Sequence, residues 1–348
     1  MILCLEPSDG VCGGAAAALA RTCVLLAILV ALTSACGSDE SSAGGSAATD
    51  QDATGQDAAG QDATAEDDAA DTTATADGTA GDDAAASGPQ PPKPFAYTGK
   101  TCPTFTAGPN KLFSWAGSRS FDLYLPTETK NAPLLFLWHG LGDTKENFGL
   151  AMGAANLAKK LGAIVVVPQA AGKVTGWGWA TAKDWDEDGA LFDDLLACVD
   201  AQYDIDNTRV WSMGFSSGGL WTTWLVLNRS SFLAAAVVWS GGSSASVNVY
   251  KAPKRKLPVL VAWGGPDDQA LYMFEAMSKK FADGLQGDGH FVLRCNHKLG
   301  HTIPGGGLNW ASLFLQRHDY SMVGHTPLQD DPDALAKFPD YCEIPTAP

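Results

Sequence analysis

No aromatic residue occurs before Phe95, and Arg21 is the only basic residue before Lys93. Residues 37–92 hold 13 Asp or Glu, no Lys or Arg, and no aromatic or β-branched aliphatic side chain. Because such a segment has nothing to bury, it is predicted to be a disordered acidic Ala/Asp-rich linker. Most of the net charge of −16 lies there: residues 93–348 carry 22 basic and 24 acidic residues and no basic stripe, which argues against a nucleic-acid partner.

The N-terminus lacks an apolar run long enough to cross a bilayer. The run CVLLAILVAL, residues 23–32, is too short for that and is typical of a secretory leader. The following TSACGSDE resembles a bacterial lipobox ending at Cys36, although Thr33 stands where leucine is usual. We expect residues 1–36 to be a signal peptide, with a lipid on Cys36 as the only membrane contact of a cell-surface or outer-membrane protein. The alternative is A-x-A-like cleavage and a periplasmic or secreted protein.

Residues 93–348 alternate between strand-like and helix-like patterns. APLLFLWHG and AIVVVPQ are nearly continuous apolar runs, as in strands buried on both faces. KENFGLAMGAANLAKKLG, GALFDDLLACVDAQYD and DQALYMFEAMSKKFADGL have helical spacing. Repeated strand–helix units predict one α/β domain, a mostly parallel sheet with helices on both faces. In such sheets the ligand site lies at the carboxyl ends of the strands.

A G-x-S-x-G match occurs at one of these strand ends. It runs from Gly214 to Gly218, follows the apolar run RVWSM, and opens the helical stretch SGGLWTTWLV. A nucleophile elbow needs this strand–turn–helix arrangement, with glycine where the turn is too tight for a Cβ atom. The alternative is an ordinary Gly/Ser loop. If the match is a nucleophile elbow, Ser216 is the nucleophile.

A catalytic serine needs a base, and the base needs an acid that orients it. His301 is the preferred base because it lies in a loop after the last predicted strand, whereas His297 is expected at the end of that strand. Asp267 is the preferred acid, because Asp268 lies nearer the next predicted helix and suits its N-cap. The order Ser216, Asp267, His301 is that of an α/β-hydrolase.

An ester-cleaving site also needs two N–H donors for the developing oxyanion. The backbone amides of Ser217 and Leu141 are the candidates, and the Ser217 hydroxyl is then dispensable. His139 is interpreted as a structural residue that positions the oxyanion loop. His290 and His318 are expected at the surface.

Four strings within residues 121–318, LFLWHGLGD, GFSSGG, GGPDD and GHTIP, resemble the extracellular polyhydroxybutyrate-depolymerase and feruloyl/acetylxylan-esterase group. The resemblance implies the α/β-hydrolase fold and a serine esterase with Ser216, Asp267 and His301 as nucleophile, acid and base. The chain departs from the group at Trp263-Gly264, where His-Gly is frequent, and in KLGHTIP, which lacks an aromatic residue after the histidine.

The expected substrate is a carboxylic ester: a polyester, a feruloyl or acetyl polysaccharide, or a small acyl ester. No cofactor is expected, and the protein is expected to be a monomer. Two alternatives are a serine peptidase of the prolyl-oligopeptidase type and a non-catalytic surface binder.

An aromatic and acidic stretch follows AIVVVPQ. Trp177 and Trp179 are interpreted either as walls of a substrate cleft or as cover for a domain edge. The string DWDEDG, residues 184–189, matches the start of an EF-hand loop, but the twelfth position is Leu195 rather than Glu. The prediction is a solvated acidic loop and no metal, with calcium binding as the alternative.

Four of the eight cysteines fall in the predicted domain: Cys102, Cys198, Cys295 and Cys342. An even number in an exported chain predicts two disulfides, with three possible pairings. Cys102–Cys342, which would tie the ends of the domain, and Cys198–Cys295 are favoured. The spacings do not fit a zinc site.

Overall fold

A computed structural model of the protein describes residues 89–115, 117–171 and 182–344, with side chains throughout except at 182–185. The predicted leader with Cys36, almost all of the predicted linker, and both Trp177 and Trp179 lie outside the described residues.

The described residues form one nine-stranded sheet in the order β1-β2-β4-β3-β5-β6-β7-β8-β9. Neighbouring strands from β4 to β8 are parallel, and β1, β2 and β9 pair antiparallel with their neighbours. The strands are β1 (Gly108–Ser114), β2 (Gly117–Tyr124), β3 (Leu134–Trp138), β4 (Ile164–Pro168), β5 (Val210–Phe215), β6 (Ala235–Trp239), β7 (Val259–Trp263), β8 (Val292–Asn296) and β9 (Cys342–Glu343).

Helices follow the strands along the chain, as predicted. They are α1 (Lys145–Ala151), α2 (Ala154–Leu161), α3 (Ala182–Tyr203), α4 (Ser217–Arg229), α5 (Phe274–Gly287), α6 (Gly307–Gln316), α7 (Pro327–Asp330) and α8 (Pro332–Leu335). None of the helices in the described ranges is long and apolar enough to cross a membrane.

Both faces of the sheet are covered, which explains the continuous apolar runs. In β3, Leu134, Phe136 and Trp138 join a core cluster with side chains of α3, α4 and α5. Leu135 and Leu137 join a second cluster with side chains of α1, α2 and α6. All five are fully buried, and each such burial stabilises the fold by about 1.5–3 kcal/mol relative to exposure. The predicted α/β-hydrolase architecture is confirmed.

Two helix predictions need correction. The helical stretch after β3 is two helices, because Gly153 adopts φ 57° between them. The stretch after β7 becomes helical only at Phe274, six residues after Asp268. Residues 269–273 form a tight loop closed by a bridge between Gln269 and Met273.

The disulfide pairing predicted from the sequence is wrong. The structure pairs Cys102 with Cys198 and Cys295 with Cys342. The short strand β9, which was not predicted, pairs with β8 and sets Cys342 directly opposite Cys295, with their Cα atoms 4.0 Å apart. Cys102 lies beside α3, with its Cα atom 5.3 Å from that of Cys198.

His290 and His318 are not at the surface as expected. Their exposed fractions are 5% and 1%. His318 donates from Nδ1 to the carbonyl of Phe314, one turn earlier. Burial lowers the pKa of both histidines to about 4.

Candidate active site

Ser216 occupies a strained turn between β5 and α4. Its backbone has φ 58° and ψ −119°, a conformation that costs a non-glycine residue about 1–3 kcal/mol. Its N–H donates to the carbonyl of Trp239 at 3.0 Å, which holds the turn against the end of β6. The side chain is thereby placed at the carboxyl edge of the sheet, at the N-terminus of α4.

The glycines on either side of Ser216 are required by close packing, as predicted. A Cβ atom on Gly214 would lie 2.1 Å from the carbonyl oxygen of Gly218, and one on Gly218 would lie 2.0 Å from that of Trp138. Since both neighbours are backbone atoms, no side-chain movement could make room. Any larger residue at either position would displace the turn that presents Ser216.

His301 connects Ser216 to a buried carboxylate. Its Nε2 atom lies 2.9 Å from Ser216 Oγ, and its Nδ1 atom lies 2.6 Å from Asp268 Oδ1. A carboxylate only accepts hydrogen bonds, so Nδ1 carries the proton of a neutral ring and Nε2 is free to accept from the serine hydroxyl. The arrangement has the connectivity of a serine hydrolase triad.

The prediction of Asp267 as the acid is not what the structure shows. Asp268, fully buried, contacts His301, and Asp267 is exposed. Asp268 Oδ2 also accepts from Ser240 Oγ and from the Gly264 N–H, both at 2.9 Å. These donors compensate for burying the carboxylate.

Asp267 was preferred because α5 was expected to begin right after Asp268, whereas it begins at Phe274. The N-cap role assigned to Asp268 required a helix starting right after it, but the N-cap of α5 is Met273. After β7 the chain makes one 3-10 turn, Gly265–Asp267, and the Asp268 N–H closes it by donating to the carbonyl of Gly265. The turn leaves Asp267 exposed and Asp268 buried.

Two aromatic rings flank the imidazole of His301. The ring of Phe274 is stacked on it, with centroids 4.7 Å apart and planes at 17°. The ring of Phe215, the residue before Ser216, lies at 4.9 Å and 31°. Phe274 is the first residue of α5. Because this helix begins at Phe274 and not right after Asp268, the carboxylate of Asp268 and the ring of Phe274 can both contact His301. Sequence reasoning missed Phe274.

The loop after β3 lies against Ser216. A Cβ atom on Gly140 would lie 3.5 Å from Ser216 Cβ, which is ordinary contact distance, so space alone does not require glycine there. Gly142 has φ +75°, which favours glycine for its backbone conformation. Leu141 lies between the two, and Ser217 is the first residue of α4, whose N–H has no partner inside the helix. Ser217 is thus adjacent to Ser216 in the chain, and Leu141 follows Gly140 in the loop that lies against the serine.

His139 contacts this loop rather than the serine. Its Nδ1 atom lies 2.8 Å from the carbonyl oxygen of Gly140. Its Nε2 atom lies 3.1 Å from the N–H of Ala170 and 3.1 Å from Nε2 of Gln169. The pKa of His139 is lowered, chiefly by burial, which favours the neutral ring. These contacts fit the structural role predicted for it.

The remaining predicted site residues have other surroundings. His297, the first residue after β8, is buried, and burial lowers its pKa. Its Nδ1 accepts from the Leu299 N–H. Ser217 Oγ is buried without a hydrogen-bond partner among the described residues.

The acidic string 184–189 lies in helix α3 rather than in a loop, and Asp188 there pairs with Arg119 at 2.5 Å. No group of potential metal ligands occurs in the described ranges.

A cavity of about 370 Å³ opens near the end of β4. Arg119, Gln169 and Glu187 are among the residues that line it. Neither Ser216 nor His301 lines it, so the reacting ester is not expected there.

A family model described as phospholipase/carboxylesterase matches residues 125–319. The chain belongs to the phospholipase/carboxylesterase family. The matched range contains the loop after β3, the Ser216 turn, Asp268 and His301. Membership of this family agrees with the geometry built above from the residues themselves.

Two curated relatives are similar to parts of the chain. Feruloyl esterase D of Neurospora crassa is 34% identical over 138 residues, which cover 36% of this chain and 46% of the relative. A bifunctional acetylxylan esterase/xylanase of Neocallimastix patriciarum is 28% identical over 169 residues, 47% of this chain and 24% of the relative. The chain thus matches less than half the length of either. These relatives confirm the resemblance to feruloyl and acetylxylan esterases seen in the sequence.

Solved structures show the same fold. Native pOPH is 20% identical with a TM-score of 0.56, and the alignment covers 71% of this chain and 97% of that one. Native sOPH is 19% identical with a TM-score of 0.51, covering 71% and 94%. At these identities the similarity establishes the architecture alone.

Proposed function

We propose that the protein hydrolyses carboxylic esters through Ser216, His301 and Asp268, with a covalent acyl-enzyme intermediate. The observation that carries the proposal is the continuous pair of contacts from Ser216 Oγ to His301 Nε2 and from His301 Nδ1 to Asp268 Oδ1. Family membership and the esterase relatives support it.

In the first half-reaction, His301 Nε2 accepts the proton of Ser216 as Oγ attacks the ester carbonyl carbon. Asp268 stabilises the resulting imidazolium and keeps its ring oriented. When the tetrahedral intermediate collapses, the carbonyl is re-formed, the bond to the alcohol oxygen breaks, and His301 donates its proton to that oxygen. The acyl group then remains on Ser216.

The second half-reaction repeats these steps with water. His301 Nε2 takes a proton from the water, whose oxygen attacks the acyl carbon. Collapse of the second intermediate returns the proton to Ser216 Oγ and releases the carboxylic acid. In both intermediates the N–H groups of Leu141 and Ser217 hold the oxyanion, and each donor is worth about 10²–10³ in kcat.

The position of Ser216 supports this role. The strained turn keeps Oγ at the N-terminus of α4, where the partial positive charge of the helix favours a developing anion. The flanking rings of Phe215 and Phe274 limit the directions in which the imidazole can turn.

The test is a hydrolysis panel with p-nitrophenyl acetate, short acyl esters, feruloyl esters, acetylated xylan and polyhydroxybutyrate. Ser216→Ala is expected to lower kcat about 10⁴-fold or more. Ser217→Ala is the matched control, because it removes a neighbouring hydroxyl that has no partner among the described residues and keeps the backbone N–H. Equal activity of both variants would contradict the proposal. A peptide panel tests the prolyl-oligopeptidase-like alternative.

We also propose export and attachment to a membrane through a lipid on Cys36. Two disulfides are present, as in proteins that fold in an oxidising compartment. The expected mature protein begins at Cys36 with a diacylglycerol on its thiol, and Cys36→Ala should release the protein from the membrane fraction. A mature chain that starts elsewhere and carries no lipid would support simple secretion instead.

A further inference from the structure

Gln169 joins the two ends of the loop that carries Leu141. It is the first residue after β4, and β4 lies parallel to β3, so both strands end at the same edge of the sheet. Its Oε1 atom accepts from the N–H of Lys145 at 2.9 Å, at the far end of the loop. Its Nε2 atom lies 3.1 Å from Nε2 of His139, at the near end. One side chain therefore spans residues 139–145.

The direction of each of these hydrogen bonds follows from the backbone. The Lys145 N–H can only donate, so the amide oxygen of Gln169 faces Lys145 and its NH₂ group faces His139. The Ala170 N–H also points at His139 Nε2, at 3.1 Å. Since two donors face Nε2, this atom carries no proton. In the neutral ring the proton is then on Nδ1, which donates to the carbonyl of Gly140 at 2.8 Å.

The Gly140 carbonyl determines where the Leu141 N–H points. The described residues contain no cis peptide bond, and in a trans peptide the C=O and the following N–H point in opposite directions. The Gly140 carbonyl accepts from His139 Nδ1 at 2.8 Å and from the Asp143 N–H at 3.3 Å, and while these donors hold it, the Leu141 N–H is turned to the opposite side. A Cβ atom on Gly140 would lie 3.5 Å from Ser216 Cβ, so this peptide lies beside the serine, and the His139 proton makes the shorter of the two hydrogen bonds that orient it.

We propose that Gln169 is a positioning residue that sets the tautomer of His139 and thereby aims the Leu141 N–H at the oxyanion. This inference rests on the proposed esterase function. Gln169 does not touch the substrate in this account and acts only through His139 and the loop.

The proposal predicts an unusual order of activities for two substitutions. Gln169→Glu keeps the size and the acceptor for Lys145, but places an oxygen opposite His139 Nε2, where a proton is then favoured. The neutral ring then has no proton on Nδ1, and its donor to the Gly140 carbonyl is lost. Gln169→Ala removes one donor to Nε2, but the Ala170 N–H still selects the original tautomer. Gln169→Glu should therefore lower kcat more than Gln169→Ala, although it changes the size of the side chain less. If Gln169 served only in packing, the order would be the reverse.

Gln202 provides a matched control. Its Oε1 accepts from the Phe105 N–H at 2.7 Å and its Nε2 donates to the Phe105 carbonyl at 2.8 Å, so it also fastens backbone through both ends of its amide. It lies in α3, and both of these hydrogen bonds are to Phe105 rather than to the loop after β3. The Gln202→Glu and Gln202→Ala variants show how much the thermal unfolding midpoint falls when such an amide is lost away from the loop.

The experiment measures kcat and KM with p-nitrophenyl acetate, thermal unfolding midpoints, and the imidazole ¹⁵N chemical shifts of His139, assigned with a His139→Asn variant. We expect Gln169→Glu to lower kcat about 10²–10³-fold with little change in KM, and to move the His139 proton from Nδ1 to Nε2. Gln169→Ala is expected to keep the Nδ1 proton and lose about 10-fold in kcat. Both Gln202 variants should keep wild-type kcat.

Two failures are distinguishable. A wild-type protein that hydrolyses none of the esters refutes the proposed function, and the ¹⁵N shifts still decide whether Gln169 sets the tautomer. An active wild type with Gln169→Glu at least as active as Gln169→Ala, or with the Nδ1 proton unchanged in Gln169→Glu, overturns the role of Gln169.

Discussion

His301 Nδ1 lies 2.6 Å from Oδ1 of Asp268, while the adjacent Asp267 is exposed. The two aspartates differ by one position in sequence, yet only one is placed to orient the base. Asp268 also accepts from Ser240 and from the Gly264 N–H, so it is fixed on three sides.

This pair of neighbours gives the first prediction. Asp268→Asn should lower kcat by about 10⁴-fold, because an amide can donate to Nδ1 and favour the wrong tautomer of His301. Asp267→Asn changes the same charge one residue away and should leave kcat within about 2-fold. The check is steady-state hydrolysis of p-nitrophenyl acetate. A larger loss in Asp267→Asn would restore the assignment made from sequence.

The stacked ring of Phe274 gives a second prediction. Phe274→Leu keeps an apolar side chain but removes the flat surface 4.7 Å from the imidazole. An aromatic contact of this kind contributes about 0.5–1.5 kcal/mol, so kcat/KM should fall by about 2- to 12-fold. Phe281→Leu, a fully buried phenylalanine on the same helix, is the control for lost packing. If both variants lose the same activity, Phe274 has no specific effect on His301.

The disulfides give a third prediction. Peptide mapping without reduction should find Cys102 linked to Cys198 and Cys295 linked to Cys342. Cys342→Ser should lower the free energy of unfolding by about 2–5 kcal/mol, measured by urea denaturation. A peptide joining Cys102 to Cys342 would refute this pairing.

The buried histidines give a fourth prediction, on stability and pH. In the folded protein the pKa of His290 and of His318 is lowered to about 4, below the ordinary value of 6.5. As pH falls from about 6.5 to about 4, the unfolded chain binds protons that the folded protein does not. The free energy of unfolding should therefore decrease over this window, by roughly 1–3 kcal/mol for each histidine, and these two groups add no pH dependence above it.

Urea denaturation at pH 7.5 and pH 5.0 measures the effect. His318→Gln should show a smaller difference between the two pH values than the wild type, whatever its stability at pH 7.5. A wild-type protein that is equally stable or more stable at pH 5.0 would contradict the account.

Much of the fold could be predicted because burial on both faces leaves a strong sequence pattern. The runs around Phe136 and Val166 are apolar throughout, since each strand contacts a helix layer on either side. The turn at Ser216 could be predicted because its glycines are required by backbone contacts that any similar turn would make.

Other features depend on contacts that no local pattern records. The choice between Asp267 and Asp268 depends on a loop that delays α5, although Pro266 in the short turn was a signal that the chain does not enter the helix directly. The two-residue strand with Cys342 has no periodicity to detect. The contact between Gln169 and His139 joins residues 30 positions apart, and only the pairing of β3 with β4 brings them together.

The central claim is that Ser216 is the nucleophile, and the most direct measurement is the site of covalent labelling. The protein is treated with a fluorophosphonate, digested, and mapped by mass spectrometry, with the Ser216→Ala and Ser217→Ala variants alongside. The account predicts one adduct, on Ser216, in the wild type and in Ser217→Ala, and none in Ser216→Ala. An adduct on a different residue, or ester hydrolysis that persists in Ser216→Ala, would contradict it.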